Sequence, residues 1–544
     1  MSGGLPTFLL LFLFLFCQQC QCANVLFTVF HDRGSHFGSM LPLMERLARH
    51  GHAVSVLDTI HRSDKSPLIR HIRATLPHSE TENEAERLAF AEFFWNQTDS
   101  SVTLPEFYNQ ADGHLATLML NHSAKMVDLF NEDWDLIVID DLMWPFGYFV
   151  ATFKQRFWHS ARTGTRPRVI VYGTAAQTLV SAESVRATSW CHSTIWLPNF
   201  SIFGRNWISR VPFCPFMPTD SQNVFRPALF AHRLFAFYEN FAEIVLLNWI
   251  TESYMMPNIA NFGVPNFSWA ELFRHTAYEF SDFIDRMGWP LAHGPEMLNV
   301  GSHCKSAGPL PSKFAQLIEE PPHYRGTILV AFGSYPDWEL APARILNGIF
   351  GALNALSDYR IIFAYDGPPT IGALKMGTHI KLFPWVPQME ILANPKTLLF
   401  ITHGGLKSVR EGLCAGVPMI VLPLFAEQAH QAHLLLAMGI APVVNKYSLT
   451  EQSVLQTIQA VVSDPKSVLR SRKFRDIFTD RIIPPLDEAL FRVERLVKGN
   501  NWPQIEQIQR NVLRRKGADF GWTEFAHFDL AIFILTIILT AAKF

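Results

Sequence analysis

The sequence predicts an α/β protein of at least two domains, each built on a parallel sheet. Three observations lead there. The chain has 544 residues, more than one hydrophobic core normally supports. Short aliphatic and β-branched runs alternate with helical patterns, as expected of parallel strands joined by crossover helices. Apolar residues reach 49% and charged ones only 17%, which is ample material for two cores and leaves some apolar surface.

Phe8 to Phe16 is an unbroken run of nine Phe and Leu residues, too short to span a bilayer, and reads as an export signal. Cleavage near Cys22 or Ala23 makes residues 1–22 a signal peptide. The first strand–helix region then opens: Val25 to Phe30 as a strand, a loop through Gly34, a helix from Phe37 to His50 ended by Gly51, and a strand at Ala53 to Leu57. Leu136 to Ile139 follows as a buried strand stopping at Asp140 and Asp141, and Val169 to Tyr172 as another. This domain is assigned residues 23–290, and the Pro and Gly content of residues 270–310 marks them as the connection. The second domain, residues 291–475, starts with Ile328 to Phe332 running into Gly333-Ser334, and continues with Arg360 to Tyr365.

Its most informative stretch reads Trp385-Val-Pro-Gln388, then Leu398 to Thr402 as a strand, His403-Gly404-Gly405 as a turn, and Leu406 to Ala415 as a helix stopped by Gly416-Val-Pro418. Met419 to Leu422 is the next strand and Pro423 to Gln428 its exit loop. At the end of the chain, Leu530 to Ala542 gives thirteen uncharged residues before Lys543. Counted back to Phe520, residues 520–544 reach the length of a spanning helix, so a membrane-associated tail is expected.

Composition excludes some functions. A net charge of −2 offers no footprint for a phosphate backbone, so no nucleic acid partner is expected. His430 with His433, and His31 with His36, lack the Cys or carboxylate neighbours that would complete a metal site, so no metal is expected. Loss of the signal leaves Cys191, Cys214, Cys304 and Cys414, too few for a disulfide scaffold. Either Cys191 bridges Cys214 or all four are free buried thiols. Four N-x-Ser/Thr sequons, at Asn96, Asn121, Asn199 and Asn266, agree with export and glycosylation.

The strand, glycine turn, helix, strand unit has a chemical use. Glycines let backbone approach an anion closely, and the amides and dipole at a helix start favour a phosphate there. Neither G-x-G-x-x-G nor G-x-x-x-x-G-K-[ST] occurs, so dinucleotide and P-loop readings lose their support.

The run from Trp385 to Gln428 resembles the donor-binding signature of the UDP-glycosyltransferases, the family of animal glucuronosyl- and glucosyltransferases. The signal, the Gly-Ser-His turn ending at His36, the segment Val300-Gly-Ser-His-Cys304, the Gly333-Ser334 strand end and the apolar tail fall in the family's order, so the likeness runs along nearly the whole chain. The spelling His-Gly-Gly-Leu-Lys-Ser with Phe-Ala-Glu-Gln is similar to invertebrate, nematode-like members. The resemblance implies a GT-B fold, two facing Rossmann-like domains, with the acceptor held mainly by the first and the UDP-sugar by the second. It also implies helices at 476–519 packing back over both domains, and residence in the endoplasmic reticulum membrane with lumenal catalytic domains.

By motif position, Trp385 should stack on uracil and Gln388 should bond near base and ribose. His403 and Gly405 should meet the diphosphate with Ser408 beside it, Ser334 should belong to the donor site, Glu411 should hold the ribose hydroxyls, and Glu427 with Gln428 the sugar. Glu427 stands where many vertebrate members carry Asp, and Lys407 where many carry Asn. UDP-sugar is a co-substrate, and no cofactor is expected.

An acceptor hydroxyl is a poor nucleophile and needs a base that is neutral near pH 7, for which histidine is suited. His36 fits, at a helix start after a strand end, and the resemblance pairs it with Asp140, with Asp141 as competitor. Taken alone, His36 would read as a surface histidine and Asp140 as a helix cap. The expected reaction is inverting transfer of glucose or glucuronic acid to a hydroxyl of a small lipophilic acceptor. A catalytically silent binding or scaffold protein and a GT-B enzyme with another donor are the rivals, and homo- or hetero-oligomers stay open. All this requires the helix after Gly405 to face His36 across an interdomain gap.

Overall fold

The computed structural model describes residues 22–29, 34–60, 66–76, 84–96, 104–142, 144–158, 166–174, 230, 244–282, 284, 296–319, 323–368, 375–425, 428–498 and 528–542. The expected signal, Cys191, Cys214, Asn199 and Glu427 lie outside the described residues.

The first sheet has seven parallel strands in the order β3-β2-β1-β4-β5-β6-β7. They are β1 Asn24–Thr28, β2 Ala53–Asp58, β3 Arg70–Arg73, β4 Leu136–Asp140, β5 Arg168–Gly173, β6 Thr276–Ser281 and β7 Met297–Asn299. Central strands such as β4, Leu-Ile-Val-Ile-Asp, are buried along their whole length, because crossover helices cover both faces of a parallel sheet. β6 and β7 fall in the segment read as a connection and instead extend this sheet, β6 pairing with β5 and β7 with β6.

The second sheet has five parallel strands in the order β10-β9-β8-β11-β12. These are β8 Thr327–Ala331, β9 Arg360–Ala364, β10 Ile380–Phe383, β11 Thr397–Thr402 and β12 Met419–Val421. In both sheets the chain reverses its direction of winding at one place, between β1 and β4 in the first and between β8 and β11 in the second. Loops diverge there and open a crevice beyond the C-terminal strand ends, which is where ligands bind in open α/β sheets.

The helices that matter for that crevice are α1 Ser35–Arg49, α2 Glu84–Asn96, α3 Gln388–Ala393, α4 Leu406–Ala415, α5 Gln428–Ala437, α6 Pro465–Thr479, α7 Pro485–Lys498 and α8 Phe528–Ala541. α4 has the bounds its sequence predicts: it follows Gly404, at φ +85, and ends at Gly416, left-handed at φ +66. α2 belongs to the first half of the sequence but packs on the second sheet. Its Phe94 and Trp95 are buried with Trp338, the Trp95 indole donates to the Asp337 carbonyl at 3.1 Å, and Arg87 pairs with Asp337 at 2.6 Å and Glu339 at 2.7 Å. α6 lies against α4, whereas α7 returns to the first domain, burying Ala489, Leu490, Val493 and Val497 with Val25, Phe27 and Leu43.

One expectation is corrected and a second is not shown. Cys304 is joined to Cys414 rather than being a free thiol, across a Cα–Cα distance of 5.6 Å and a sequence separation of 110. Closeness in sequence favoured Cys191 with Cys214, but the exit from β7 brings residue 304 beside the C-terminal turn of α4. The expected spanning tail is not shown: among the described residues no helix is long and apolar enough to cross a membrane. α8 has 14 residues, about 21 Å at 1.5 Å each, against a hydrocarbon core of about 30 Å.

Candidate active site

β1 leads through Gly34, at φ +121, into α1, which places His36 in the first helical turn. His36 is 8% exposed, so it is not the surface histidine that its isolated sequence allowed. Its Nδ1 lies 2.7 Å from Asp140 Oδ2. Asp140 closes β4, next to β1 across the reversal point, where Thr28 pairs with Ile139. Its carboxylate also accepts from Thr174 Oγ1 at 2.9 Å and from the Leu142 amide at 3.2 Å. It therefore does not cap the next helix, which starts at Pro145 after Trp144.

Thr174, one residue beyond β5, is a member that sequence reasoning missed. Its Oγ1 is 2.6 Å from His36 Nδ1 as well, so hydroxyl, imidazole and carboxylate form one buried triangle. Only the strand order supplies the signal: once β5 is known to neighbour β4, a polar residue just beyond its C-terminal end falls at the same crevice. Asp141, the competitor, is held differently, its carbonyl accepting from the Tyr148 hydroxyl at 2.5 Å. With Nδ1 engaged by Asp140, the ring is fixed in one tautomer and orientation, the arrangement that a general base needs.

In the second domain, β11 delivers His403 and α4 follows. Gly405 is required by close approach: a Cβ there would stand 2.4 Å from His403 Nε2. The Nε2 side of the imidazole thus packs closely against the turn. It keeps some exposed surface, yet dense protein around it holds its pKa down to about 4, with burial as the cause. His403 is therefore neutral at physiological pH and can donate a hydrogen bond without adding charge. Between about pH 4 and the usual histidine value, the unfolded chain binds a proton that the folded one refuses, so stability falls as pH drops through that window. Urea midpoints at pH 7 and pH 4.5 test this. His403→Gln is expected to reduce the acid sensitivity by about 1–2 kcal/mol, a figure discounted for the partly exposed ring.

Gln388, the first residue of α3, donates to Glu411 Oε2 at 2.7 Å and to Ser408 Oγ at 3.3 Å. Three predicted residues from α3 and α4 thus form one polar edge. Burial pushes the Glu411 carboxyl up, opposed by the Gln388 bond. Trp385 stands beside them with 71% of its surface exposed, and Ser334 is exposed at the end of the β8 strand. Gln428 is not on that edge: it is 3% exposed and its Oε1 accepts from the Leu424 and Phe425 amides at 2.9 and 3.1 Å, bracing the exit loop.

The two crevices meet. A Cβ on Gly38, two residues after His36, would lie 3.0 Å from Lys407 Nζ, so the Lys407 side chain reaches from the first turn of α4 to the first turn of α1. Neither helix has a side-chain cap on its N-terminus or an acidic residue in its first turn, so no first-turn carboxylate offsets the positive dipole end of either. Among the described residues no group of three or more His, Cys, Asp or Glu is arranged to hold a metal ion. The sequon asparagines Asn96, Asn121 and Asn266 are exposed.

A family model described as "UDP-glucoronosyl and UDP-glucosyl transferase" matches residues 227–544. UDP-glucuronosyltransferase 2A3 of Mus musculus is 23% identical over 535 residues, covering 93% of this chain and 88% of the relative. UDP-glycosyltransferase UGT5 of Dactylopius coccus is 24% identical over 527 residues, again covering 93% and 88%. The solved structure of CalG4, the calicheamicin glycosyltransferase, is similar with a TM-score of 0.52 at 14% identity, covering 88% of this chain and 99% of that one. Glycosyltransferase VinC in complex with DTDP gives 0.52 at 15%, covering 87% and 99%. These structural likenesses speak for the GT-B fold alone. With the family model matching more than half of its length, the chain belongs to the UDP-glucuronosyl and UDP-glucosyl transferase family and is a UDP-dependent glycosyltransferase.

Proposed function

We propose that the enzyme moves glucose or glucuronic acid from its UDP-sugar to a hydroxyl of a small lipophilic acceptor, with inversion at the anomeric carbon. The observation that carries this reading is the approach of the Lys407 side chain to Gly38, which links the first turn of α4 to the helix turn bearing His36. A diphosphate at the α4 amides would be met by the backbone of Gly405, by Ser408, by neutral His403 and by Ser334. Trp385 offers an exposed indole for uracil to cover, and the linked pair Gln388 and Glu411 offers an acceptor edge for ribose hydroxyls. Glu427 with Gln428 takes the sugar, Gln428 through its amide nitrogen because its oxygen is engaged.

The reaction is a single displacement. The acceptor proton passes to His36 Nε2 while the acceptor oxygen forms its bond to the anomeric carbon. The bond from that carbon to the β-phosphate oxygen breaks, and its electron pair leaves with UDP. Asp140 and Thr174 hold the ring and stabilise the imidazolium. No step needs a metal or cofactor. The exposed aliphatic surface of α8, including Ile532 at 65% and Phe533 at 62%, fits attachment to a membrane on the lumenal side of the endoplasmic reticulum, with the sequon asparagines glycosylated.

Purified enzyme mixed with a panel of nucleotide sugars and a simple phenol tests the proposal by product mass. A hexose or hexuronic acid adduct formed only from a UDP-sugar is expected. UDP binding without any product would favour the silent scaffold, and product from another nucleotide would reject the donor assignment.

A further inference from the structure

Helix α4 carries more than the donor edge. One turn in, beside Glu411, Arg410 Nη1 donates to Asp282 Oδ1 at 2.5 Å, and the two side chains are 9% and 0% exposed. Asp282 is one residue beyond β6, in the first domain. Its amide donates to the Gly173 carbonyl at 2.7 Å, and Gly173 immediately precedes Thr174, the hydroxyl that touches both His36 and Asp140. A short path of one ion pair, one backbone bond and one side-chain triangle thus joins the donor helix to the general base.

Stability does not explain this pair. Removing two charges from water costs several kcal/mol each before their attraction repays it, and apolar replacements of buried pairs are often as stable. The other Asp282 oxygen, Oδ2, has no hydrogen-bond partner among the described residues, so the pair is not part of a fully satisfied network. What a charged hydrogen bond supplies is a narrow range of geometry. Proximity to the site is visible in Tyr172, whose hydroxyl burial pushes up with further contributions from Asp282 and Asp140 and an opposing one from Arg410. The far end of α4 is fastened to the same side of the molecule by the Cys304–Cys414 disulfide.

We propose that Arg410 and Asp282 are positioning residues that pin the donor helix in register with the His36–Asp140–Thr174 triangle. This rests on the reading under Proposed function. The pin keeps the anomeric carbon at attack distance from the acceptor oxygen, where a misplacement of about 1 Å costs about 100-fold in rate.

The test compares Arg410→Met, Arg410→Lys, Asp282→Asn and the double variant Arg410→Met/Asp282→Leu with wild type. Measurements are kcat, KM for the UDP-sugar, UDP affinity and thermal midpoint. Arg410→Met and Asp282→Asn are expected to lower kcat by about 10- to 100-fold with UDP affinity within about threefold of wild type. Arg410→Lys should recover part of kcat. The double variant, in which no buried charge is left alone, should melt at or above the wild-type midpoint yet stay as slow as Arg410→Met. A double variant with a normal midpoint and wild-type kcat would overturn the proposal, as would parallel loss of kcat and UDP affinity in Arg410→Met. A wild-type enzyme that releases no UDP from any donor rejects the functional reading itself, whereas active wild type with equally active variants rejects only the pin.

Discussion

His36→Ala is expected to reduce turnover by about 10²- to 10⁴-fold while leaving UDP affinity within about threefold of wild type. In free energy that is about 3–5 kcal/mol lost from the transition state alone. The split follows from the architecture. His36 rises from the first sheet, whereas the residues assigned to the nucleotide sit on α3, α4 and the ends of β8 and β11 in the second. A change in the first domain therefore removes the proposed proton acceptor without touching the proposed nucleotide edge. Asp140→Asn is expected to show the same split with a smaller loss, because an amide in place of the carboxylate neither stabilises the imidazolium nor selects the tautomer. Initial rates and calorimetric titration with UDP on the same preparations measure both quantities. A parallel fall in turnover and UDP affinity would place His36 in folding or donor binding instead.

Cys304→Ser is expected to destabilise the second domain by about 4–5 kcal/mol, the chain-entropy value for a loop of about 100 residues. The bridge closes a loop with a sequence separation of 110 that contains β8 to β11, so cutting it frees most of that domain's unfolded chain. Urea unfolding followed by tryptophan fluorescence should show the transition of that domain at lower denaturant. Peptide mapping without reductant should recover a cross-linked peptide containing both cysteines. An unchanged midpoint together with free thiols at 304 and 414 would contradict the assignment.

Local chemistry decides how much of this was legible in the sequence. α4 was read to the residue because Gly405 and Gly416 punctuate a strongly patterned helix, and β4 and β11 to within one residue because continuous aliphatic runs of that length have few alternatives. β3, Arg-His-Ile-Arg, and β7, Met-Leu-Asn, were not read, since short edge strands carry neither alternation nor a hydrophobic run. β6 starts directly after the helix ending at His275 with no turn residue between them, which hid it. The crossing of α2 to the second sheet, the Cys304–Cys414 bridge and the Arg410–Asp282 pair all join residues more than 100 positions apart, beyond the reach of single-sequence periodicity. His36 and Asp140 were legible through a motif and a strand end. Thr174 was not, because nothing before the strand order was known said that β5 neighbours β4.

The central claim is that a base on the first domain drives one displacement against a donor held by the second. The anomeric configuration of the product formed from UDP-α-glucose tests it most directly, by proton coupling at the anomeric position in the NMR spectrum. The large diaxial coupling of a β-glucoside is predicted. An α-glucoside would require retention, and would contradict a single attack assisted by His36.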